Sequence, residues 1–356
     1  MQKPTLKIHK IGLMFAAAAA LAAGVFIFAL SDAVKSGAEE GLRICAGTVI
    51  PSLFPFAVLA YFMSVGGIFE PFLKFAEGLT QKLLGLNGDE FFCFFMSMLG
   101  GYPVGAGLID KMCADKRLSP KRARVLLLFS VNAGPPFVVT AVGAGMIHSK
   151  KAGTVLFAAH ILSSLIMCRV LTLFYPPTTE KRAEKKPALS LGDCFVDAVR
   201  AASKGMFSIC GWVVFFSAFR PIFKALPLGG FSRFALPLFE VTSGLAEGNF
   251  TVPETAFFLG FSGFSVIFQV MASSKNFTPK LLFTVISRFA HGLISFALCK
   301  LYLSFFPLYV ETVSNGKIPV YSSNSVTIPA AAALVLTLCV FYGFIKADSR
   351  HSPPSN

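Results

Sequence analysis

The sequence is poor in charged residues. Of its 356 residues, 14% are charged and 54% are hydrophobic, whereas soluble globular domains carry about 25% charged residues. Forty phenylalanines stand against one tryptophan. This composition excludes an ordinary soluble domain and predicts a membrane protein with a large lipid-facing or interdigitated apolar surface.

Motifs for metal binding and catalysis are also missing. The eight cysteines are scattered singly without a C-x-x-C pair, and the five histidines show no H-E-x-x-H spacing. No phosphate-binding loop occurs, and no nucleophile elbow is followed by plausible triad partners. We therefore expect no metal site, no cofactor and no enzymatic activity.

The net charge of +14 lies mostly in short loops beside apolar runs, which is the positive-inside pattern and does not indicate nucleic-acid binding. Residues 109–124, 177–192 and the C-terminal tail are basic, so we expect them inside, with both termini cytoplasmic. Residues 310–325 are weakly charged and are expected outside. This topology places the basic turn 148–151 outside, against the rule.

Apolar runs recur along the whole chain, at 11–30, 44–68, 91–109, 125–147, 152–175, 195–223, 231–245, 255–271, 281–306 and 328–345. About twenty apolar residues cross a bilayer, and we expect about eight crossings. Run 11–30 resembles a signal peptide, but its length and the membrane segments that follow favour an uncleaved anchor. Residues 69–88 alternate charge with hydrophobe at helical spacing, which predicts an amphipathic interfacial or re-entrant helix.

Glycine and proline interrupt two of these runs, at 100–105 and at 130–136. Helix breaks are costly in hydrocarbon, so the freed backbone must face protein or water. In transporters such breaks bind the solute near the middle of the membrane. A weaker copy of this pattern occurs at 260–266 and 288–292.

An offset of about 160 residues superposes the two halves. It places Gly101 on Gly263, Ser119 on Thr278 and Ala133 on His291. The same order of apolar run, amphipathic piece, broken run, basic turn and last run predicts an internal repeat. The sequence leaves open whether the copies are parallel or inverted.

Five segments together carry a resemblance to a known family: GGYPVGA at 100–106, LSPKRARVLLLFSVNAGPPFVV at 118–139, EVTSGL at 240–245, GFSGFSV at 260–266 and SRFAHG at 287–292. They resemble the sporulation integral membrane proteins of the YlbJ/SpoVV type, over roughly residues 40–305. The resemblance implies two "Gate" domains like those of nucleoside transporters, in an α-helical transporter fold. It also implies a role in moving dipicolinate, a flat aromatic dianion, during spore formation.

The expected fold class is an all-α polytopic membrane protein with two Gate-type repeats and broken or re-entrant helices. We divide the chain into a membrane anchor (1–38), a first repeat with its linking helix (39–176) and a basic cytoplasmic linker (177–192). A second repeat (193–308) and a last part (309–356) follow. The last part holds an outer loop, a membrane helix and a polar tail.

Residues near the breaks are the candidate solute-binding residues. They are Gly101, Tyr102, Pro103, Ser130, Asn132, Glu240, Thr242, Ser243, Ser262, Gly263, Ser265, Gln269, Arg288 and His291. The neutral polar ones either satisfy backbone groups at a kink or line a pocket for a polar solute. By resemblance to nucleoside transporters, Glu240 contacts solute hydroxyls. His291 lies one turn from Arg288 and supplies a hydrogen bond or a titratable group, or is merely packed in the interior.

Arg288 lies in the middle of run 281–306, and a charge at that depth is usually functional or paired. Its guanidinium stays protonated, so an anion must offset the cost of burial. The sequence offers either Glu240 or a carboxylate of the solute. We favour the solute.

The leading interpretation is a transporter for a small polar or anionic aromatic solute, most simply dipicolinate. The alternatives are a nucleoside or nucleobase transporter coupled to a proton or sodium ion, and a non-transporting scaffold of spore formation. The expected partners are the solute and the lipid bilayer, with homo-oligomerisation and the coupling ion left open. The expected location is the cell membrane, in a sporulating cell the forespore or mother-cell membrane.

Overall fold

A computed structural model describes residues 4–65, 70–177, 190–225, 232–311 and 317–321. Most of the linker 177–192 and the predicted helix and tail after residue 321 lie outside this range. Five helical stretches are long and apolar enough to cross a membrane: Ser31–Ser64, Lys150–Phe174, Leu191–Pro221, Val252–Ser273 and Leu281–Phe305. The expected all-α polytopic membrane fold is confirmed.

The first half of the chain begins with the apolar helix α1, where the membrane anchor is expected. Its elements are α1 (Pro4–Ala29), α2 (Ser31–Ile44), the π-helical segment π1 (Cys45–Val49), α3 (Ile50–Val65), α4 (Glu70–Leu84), α5 (Gly88–Gly100), α6 (Tyr102–Ala114), α7 (Pro120–Leu127), the π-helical segment π2 (Pro136–Met146) and α8 (Lys150–Phe174). Helix α4 is the amphipathic helix predicted at 69–88.

The second half has fewer elements. They are α9 (Leu191–Ala225), α10 (Ser232–Phe239), α11 (Val241–Glu247), α12 (Val252–Phe261), α13 (Gly263–Ser273) and α14 (Leu281–Phe305), then the short antiparallel strands β1 (Leu308–Glu311) and β2 (Lys317–Tyr321). The strands lie in the predicted outer loop and are the only strands in the described ranges.

Two of the predicted membrane runs are instead helical hairpins. In run 91–109, α5 and α6 fold back on each other, so that the Cys93 Sγ lies 3.2 Å from the Met112 Sδ. In run 231–245, α10 and α11 do the same, and a Cβ on Gly244 would meet the backbone of Pro237. The prediction that run 231–245 is a membrane span is wrong, because sequence alone does not distinguish a turn inside an apolar run from a kink. The break predicted at 100–105 in run 91–109 is the turn of the first hairpin. The expected number of about eight crossings stays a prediction, because run 328–345 lies outside the described residues.

Two further runs are helices that break and continue. The first is α7–π2, in which residues 128–134 between the two helices are non-helical. The second is α12–α13, which breaks at one residue, Ser262, whose φ of 68° lies in the left-handed region. A capping box begins α12, because Thr251 and Glu254 bond reciprocally across its first turn. Asn87 and Glu90 begin hairpin helix α5 in the same way.

The order of elements recurs in the two halves. Each half has a long helix (α2–π1–α3 or α9), a hairpin (α5–α6 or α10–α11), a broken helix (α7–π2 or α12–α13) and a 25-residue helix (α8 or α14). The predicted equivalence of Gly101 with Gly263 is therefore wrong, because Gly101 turns a hairpin and Gly263 follows a helix break. The offset of 160 describes the long helices alone, since Ser31 begins one and Leu191 the other.

The two long helices pack against each other in opposite directions. The Cys45 Sγ donates to the Cys210 carbonyl at 3.8 Å, and the rings of Phe62 and Phe195 lie 6.0 Å apart. Residues later in α2–α3 therefore contact residues earlier in α9. Antiparallel packing of equivalent helices is the arrangement expected of inverted repeats, which the sequence left open.

In each half the broken helix touches the next helix backbone to backbone. A Cβ on Gly143 in π2 would lie 2.5 Å from the Cα of Gly153 in α8. Likewise, a Cβ on Gly260 in α12 would lie 2.7 Å from the Cα of Gly292 in α14. Glycine permits this approach because it has no side chain, and the contact joins each broken helix closely to its neighbour.

Candidate functional site

A cavity lies where the hairpin turns and the broken helices meet the two long helices. It encloses about 680 Å³ of empty space, counted out to its open mouth. Both halves supply its wall, from the turn at Gly101 to residues of α13. Clefts between the helices of a bundle are places where small organic ligands bind in proteins.

Six of the fourteen predicted site residues line this cavity: Gly101, Tyr102, Glu240, Thr242, Ser265 and Gln269. Gln269 and Ser265 are 6% and 1% exposed, and neither side chain forms a hydrogen bond with another described residue. Their polar groups are therefore free to bind a solute inside the cavity.

Glu240 is the charged residue of the described cavity wall. It occupies the turn of the second hairpin, where its carboxylate accepts bonds from the backbone N–H groups of Thr242 and Ser243 at 2.9 and 2.5 Å. The Ser243 hydroxyl adds a third bond at 2.6 Å. These donors offset part of the cost of a buried carboxylate at the start of α11.

Tyr102 joins the first hairpin to the second broken helix. Its hydroxyl donates to the carbonyl of Leu259 at 2.9 Å, three residues before the α12–α13 break at Ser262. Helix α6 also packs along α13. Segments 100–106 and 260–266 therefore lie close together, although they are not equivalent in the two halves.

Four helical N-termini meet at the cavity. Tyr102 in α6, Phe137 in π2, Thr242 in α11 and Ser265 in α13 line it, each within the first three residues of its helix. A helix N-terminus carries a partial positive charge on its unpaired N–H groups. Glu240 offsets that charge at α11, while α6, π2 and α13 begin without a side-chain cap.

Ser130 and Asn132 lie in the non-helical segment 128–134, fully buried and outside the cavity wall. The Asn132 amide donates to the Ser97 hydroxyl at 3.0 Å and to the Phe129 carbonyl at 3.1 Å. Asn132 therefore satisfies exposed backbone at the break and ties it to α5. The Ser130 hydroxyl and the Asn132 Oδ1 have no partner.

Arg288 and His291 lie on one face of α14, fully buried and also outside the cavity wall. The Arg288 guanidinium donates to the carbonyls of Leu128, at 2.9 Å, and Val131. These carbonyls were freed by the α7–π2 break. Although both residues lie in the described part of the chain, Arg288 and Glu240 form no ion pair, so that alternative is wrong. Solute contact by Arg288 stays a prediction.

The remaining predicted residues lie at turns. Ser262 is the left-handed residue of the α12–α13 break, and its hydroxyl bonds to the carbonyl of Phe261 at 2.6 Å. Gly263 follows it with a φ of 79°, a conformation that favours glycine. Pro103 lies in the first turn of α6, where proline needs no N–H partner.

Two features of this region were not predicted from the sequence. One is the wall contributed by the long helices, including Tyr61 of α3 and Met206 of α9, which contain no breaks to mark them. The other is His160 of α8, whose ring lies 4.5 Å from that of His291. The Ala-His pair at 159–160 and again at 290–291 is the signal that could have found it.

Comparisons with known proteins agree with this architecture. No family model matches the chain, and no solved structure matches it. The chain is similar to the sporulation integral membrane protein YlbJ of Bacillus subtilis (strain 168), with 26% identity over 314 residues that cover 74% of this chain and 76% of the relative. The resemblance to YlbJ-type proteins is thus confirmed. That similarity and the five long apolar helices identify an integral membrane protein.

Proposed function

We propose that this YlbJ-like membrane protein transports a small polar or anionic aromatic solute through the cavity by alternating access. The observation that carries the proposal is the meeting of two hairpin turns and two helix breaks around one cavity. Transporters use discontinuous helices in this way, so that helix ends bind the solute while the two repeats rock around it.

Dipicolinate is the first solute to consider. Three uncapped helix N-termini favour a carboxylate. The apolar wall formed by Leu53, Phe137, Met206 and Ile209 suits the faces of a flat ring. Gln269 and Ser265 add hydrogen-bonding groups within the same wall. The similarity to a sporulation protein gives this solute a biological setting, in which the protein lies in the forespore or mother-cell membrane with both termini cytoplasmic.

A nucleoside or nucleobase is the second candidate, favoured by one observation. Glu240 brings a carboxylate to the cavity wall, and a carboxylate accepts bonds from hydroxyl or ring N–H groups, whereas it repels a dianion. The two candidates therefore differ in whether solute binding is helped or hindered by Glu240.

Uptake into proteoliposomes tests the proposal. The purified protein, reconstituted into liposomes, is expected to take up labelled dipicolinate faster than protein-free liposomes do, with labelled uridine as a parallel arm. Replacing Gln269→Met preserves volume but removes the amide, and should raise the half-saturating concentration about fivefold, the value of one hydrogen bond of about 1 kcal/mol.

The control is Phe268→Leu. Phe268 neighbours Gln269 on α13 but is 38% exposed and lies outside the cavity wall, so its replacement should leave uptake near normal. Failure of the intact protein to take up either solute, at normal helical content, would favour the alternative of a non-transporting scaffold. Equal effects of the two substitutions would show that the cavity is not the binding site.

A further inference from the structure

Helices α8 and α14 bring two histidines together in the middle of the molecule. His160 and His291 are each the eleventh residue of a 25-residue helix, so they occupy equivalent positions in the two halves. Both are fully buried, and their ring centroids lie 4.5 Å apart. The cavity wall includes neither of them, so the proposed solute site gives them no role.

Hydrogen bonds assign the proton on each ring. The Ala133 N–H donates to the His160 Nε2 at 3.0 Å, so the neutral His160 carries its proton on Nδ1. The His291 Nε2 lies 3.0 Å from the His160 carbonyl, an acceptor, so the neutral His291 carries its proton there and leaves a lone pair on Nδ1. The two histidines are thus opposite tautomers.

Both Nδ1 atoms lack a partner. Burying an unpaired polar group costs about 1–3 kcal/mol, so two such atoms at equivalent positions point to a ligand. Of the two, the His291 Nδ1 is the vacant base, because the His160 lone pair already accepts from Ala133. A proton needs only this lone pair and no added space in a closely packed interior.

Arg288 is the charged group near the pair among the described residues of α8, α12, α14 and the break at 128–134. It also lies within electrostatic reach of Tyr102, which lines the cavity. A proton on His291 would place a second positive charge beside Arg288, which is costly in a buried region unless a negative charge arrives. An anionic solute in the cavity supplies that charge.

We propose that the His291 Nδ1 is the proton-binding site that couples proton entry to entry of an anionic solute. The inference rests on the proposed transport function and names its driving ion. The proton passes from water on the acidic side to Nδ1, giving an imidazolium, and returns to water on the other side when the solute leaves. Each ligand favours binding of the other by the same factor. The carbonyls of Leu128 and Val131 already accept from Arg288 and are not free for a metal cation.

Liposomes with an imposed pH gradient test this coupling. Labelled dipicolinate is followed with pH 7.5 inside and pH 6.0 outside, and potassium with valinomycin holds the membrane potential near zero. One coupled proton should raise accumulation about tenfold for each pH unit of gradient. His291→Gln keeps an amide donor toward the His160 carbonyl but removes the basic nitrogen, so it should abolish accumulation. Exchange of labelled for unlabelled dipicolinate at equal pH should persist in this variant.

Two matched variants serve as controls. His160→Gln retains an acceptor for Ala133 and should still accumulate solute, as should His148→Asn at an exposed turn with a φ of 58° that asparagine tolerates. Gradient-driven accumulation by His291→Gln would overturn the proposal. Absence of exchange in the intact protein would instead count against the transport function.

A measurement without solute tests the protonation of His291 even when the intact protein shows no exchange. With His9, His148 and His351 replaced, nitrogen-15 NMR of the two remaining histidines should show opposite neutral tautomers near pH 8. On acidification His291 should take up a proton first. Identical tautomers, or protonation of His160 before His291, would overturn the assignment.

Discussion

In each half of the molecule an ion pair joins the hairpin to the broken helix, but the two ion pairs differ in strength. In the first half, Arg122 at the start of α7 binds Glu90 at the start of α5 through contacts of 2.5 and 3.0 Å, and both side chains are at most 5% exposed. In the second half, Arg233 at the start of α10 binds Glu254 at the start of α12 at 2.7 Å, with 50% and 23% exposure.

The further hydrogen bonds of Arg122 increase the difference in strength between the two ion pairs. Arg122 also donates to the carbonyls of Tyr175 and Gly85, so its guanidinium ties α5, α7 and the end of α8 together. An exposed pair is worth about 0–1 kcal/mol, whereas loss of one partner of a buried pair costs about 3–5 kcal/mol. We therefore expect the second hairpin to separate more easily than the first during the alternating access that we propose.

The two helix breaks also differ in how their freed backbone groups are satisfied. The first break spans residues 128–134, and Arg288 of α14 in the other half satisfies the carbonyls of Leu128 and Val131 with a buried charge. The second break is one residue long, and Ser262 bonds locally to the Phe261 carbonyl. From the first half, the second break receives only the neutral hydroxyl of Tyr102, which donates to the Leu259 carbonyl. The residue of α8 that is equivalent to Arg288 is the uncharged Phe157. Each half thus supports the break of the other, but only the first break depends on a charged side chain.

Arg122→Gln should have the largest effect on stability. It leaves the buried Glu90 carboxylate without its cation, so the free energy of unfolding should fall by about 3–5 kcal/mol. Circular dichroism during unfolding in mixed detergent measures this change. The double variant Arg122→Gln with Glu90→Gln should recover much of the loss. A cost below about 1 kcal/mol for the single change would contradict the comparison.

Arg288→Gln should have an intermediate effect on stability and a large effect on transport. It leaves two freed carbonyls without charged donors, at a cost of about 1–3 kcal/mol, and removes the charge near the cavity. Uptake and unfolding are measured on the same preparation, beside Phe157→Leu on α8 as a matched control. Arg288→Lys keeps the charge but not the planar fork, so weakened transport is expected there too. Normal uptake by a stable Arg288→Gln protein would remove Arg288 from the solute-binding residues.

Arg233→Gln should have the smallest effect. Its partner Glu254 is partly exposed and retains its capping bonds to Thr251, so a loss of at most about 1 kcal/mol is expected. Because salt screens exposed charges, raising ionic strength should reduce the difference between this variant and the intact protein. A loss of stability as large as that for Arg122→Gln would show that the two ion pairs contribute equally.

Much of the fold was readable from the sequence because burial in a membrane restricts where a helix can break. Glycine and proline at 100–105, 130–136 and 260–266 marked the breaks, and four of the residues chosen beside them, Gly101, Tyr102, Ser265 and Gln269, line the cavity. Whether a break reverses the chain or merely interrupts it was not readable. That outcome depends on close contacts such as Gly244 against Pro237, which join residues of one apolar run.

The partners of buried charges were not readable either. The sequence offered Glu240 as a partner for Arg288, because both are ionisable and lie in apolar runs. The structure satisfies each of them with backbone groups, carbonyls for Arg288 and N–H groups for Glu240. Backbone groups freed at a break exist only once the break has its three-dimensional form, so residue types alone did not reveal them.

The backbone contacts at Gly143–Gly153 and Gly260–Gly292 separate two kinds of evolutionary constraint in this molecule. No methyl group fits at either contact without a backbone shift, so these glycines are held by geometry whatever the solute is. The cavity wall carries no such requirement at Ser265 or Gln269, where side chains face open space. One constraint therefore acts on the backbone frame through these four glycines, and the other acts only on the solute that we propose the wall residues bind.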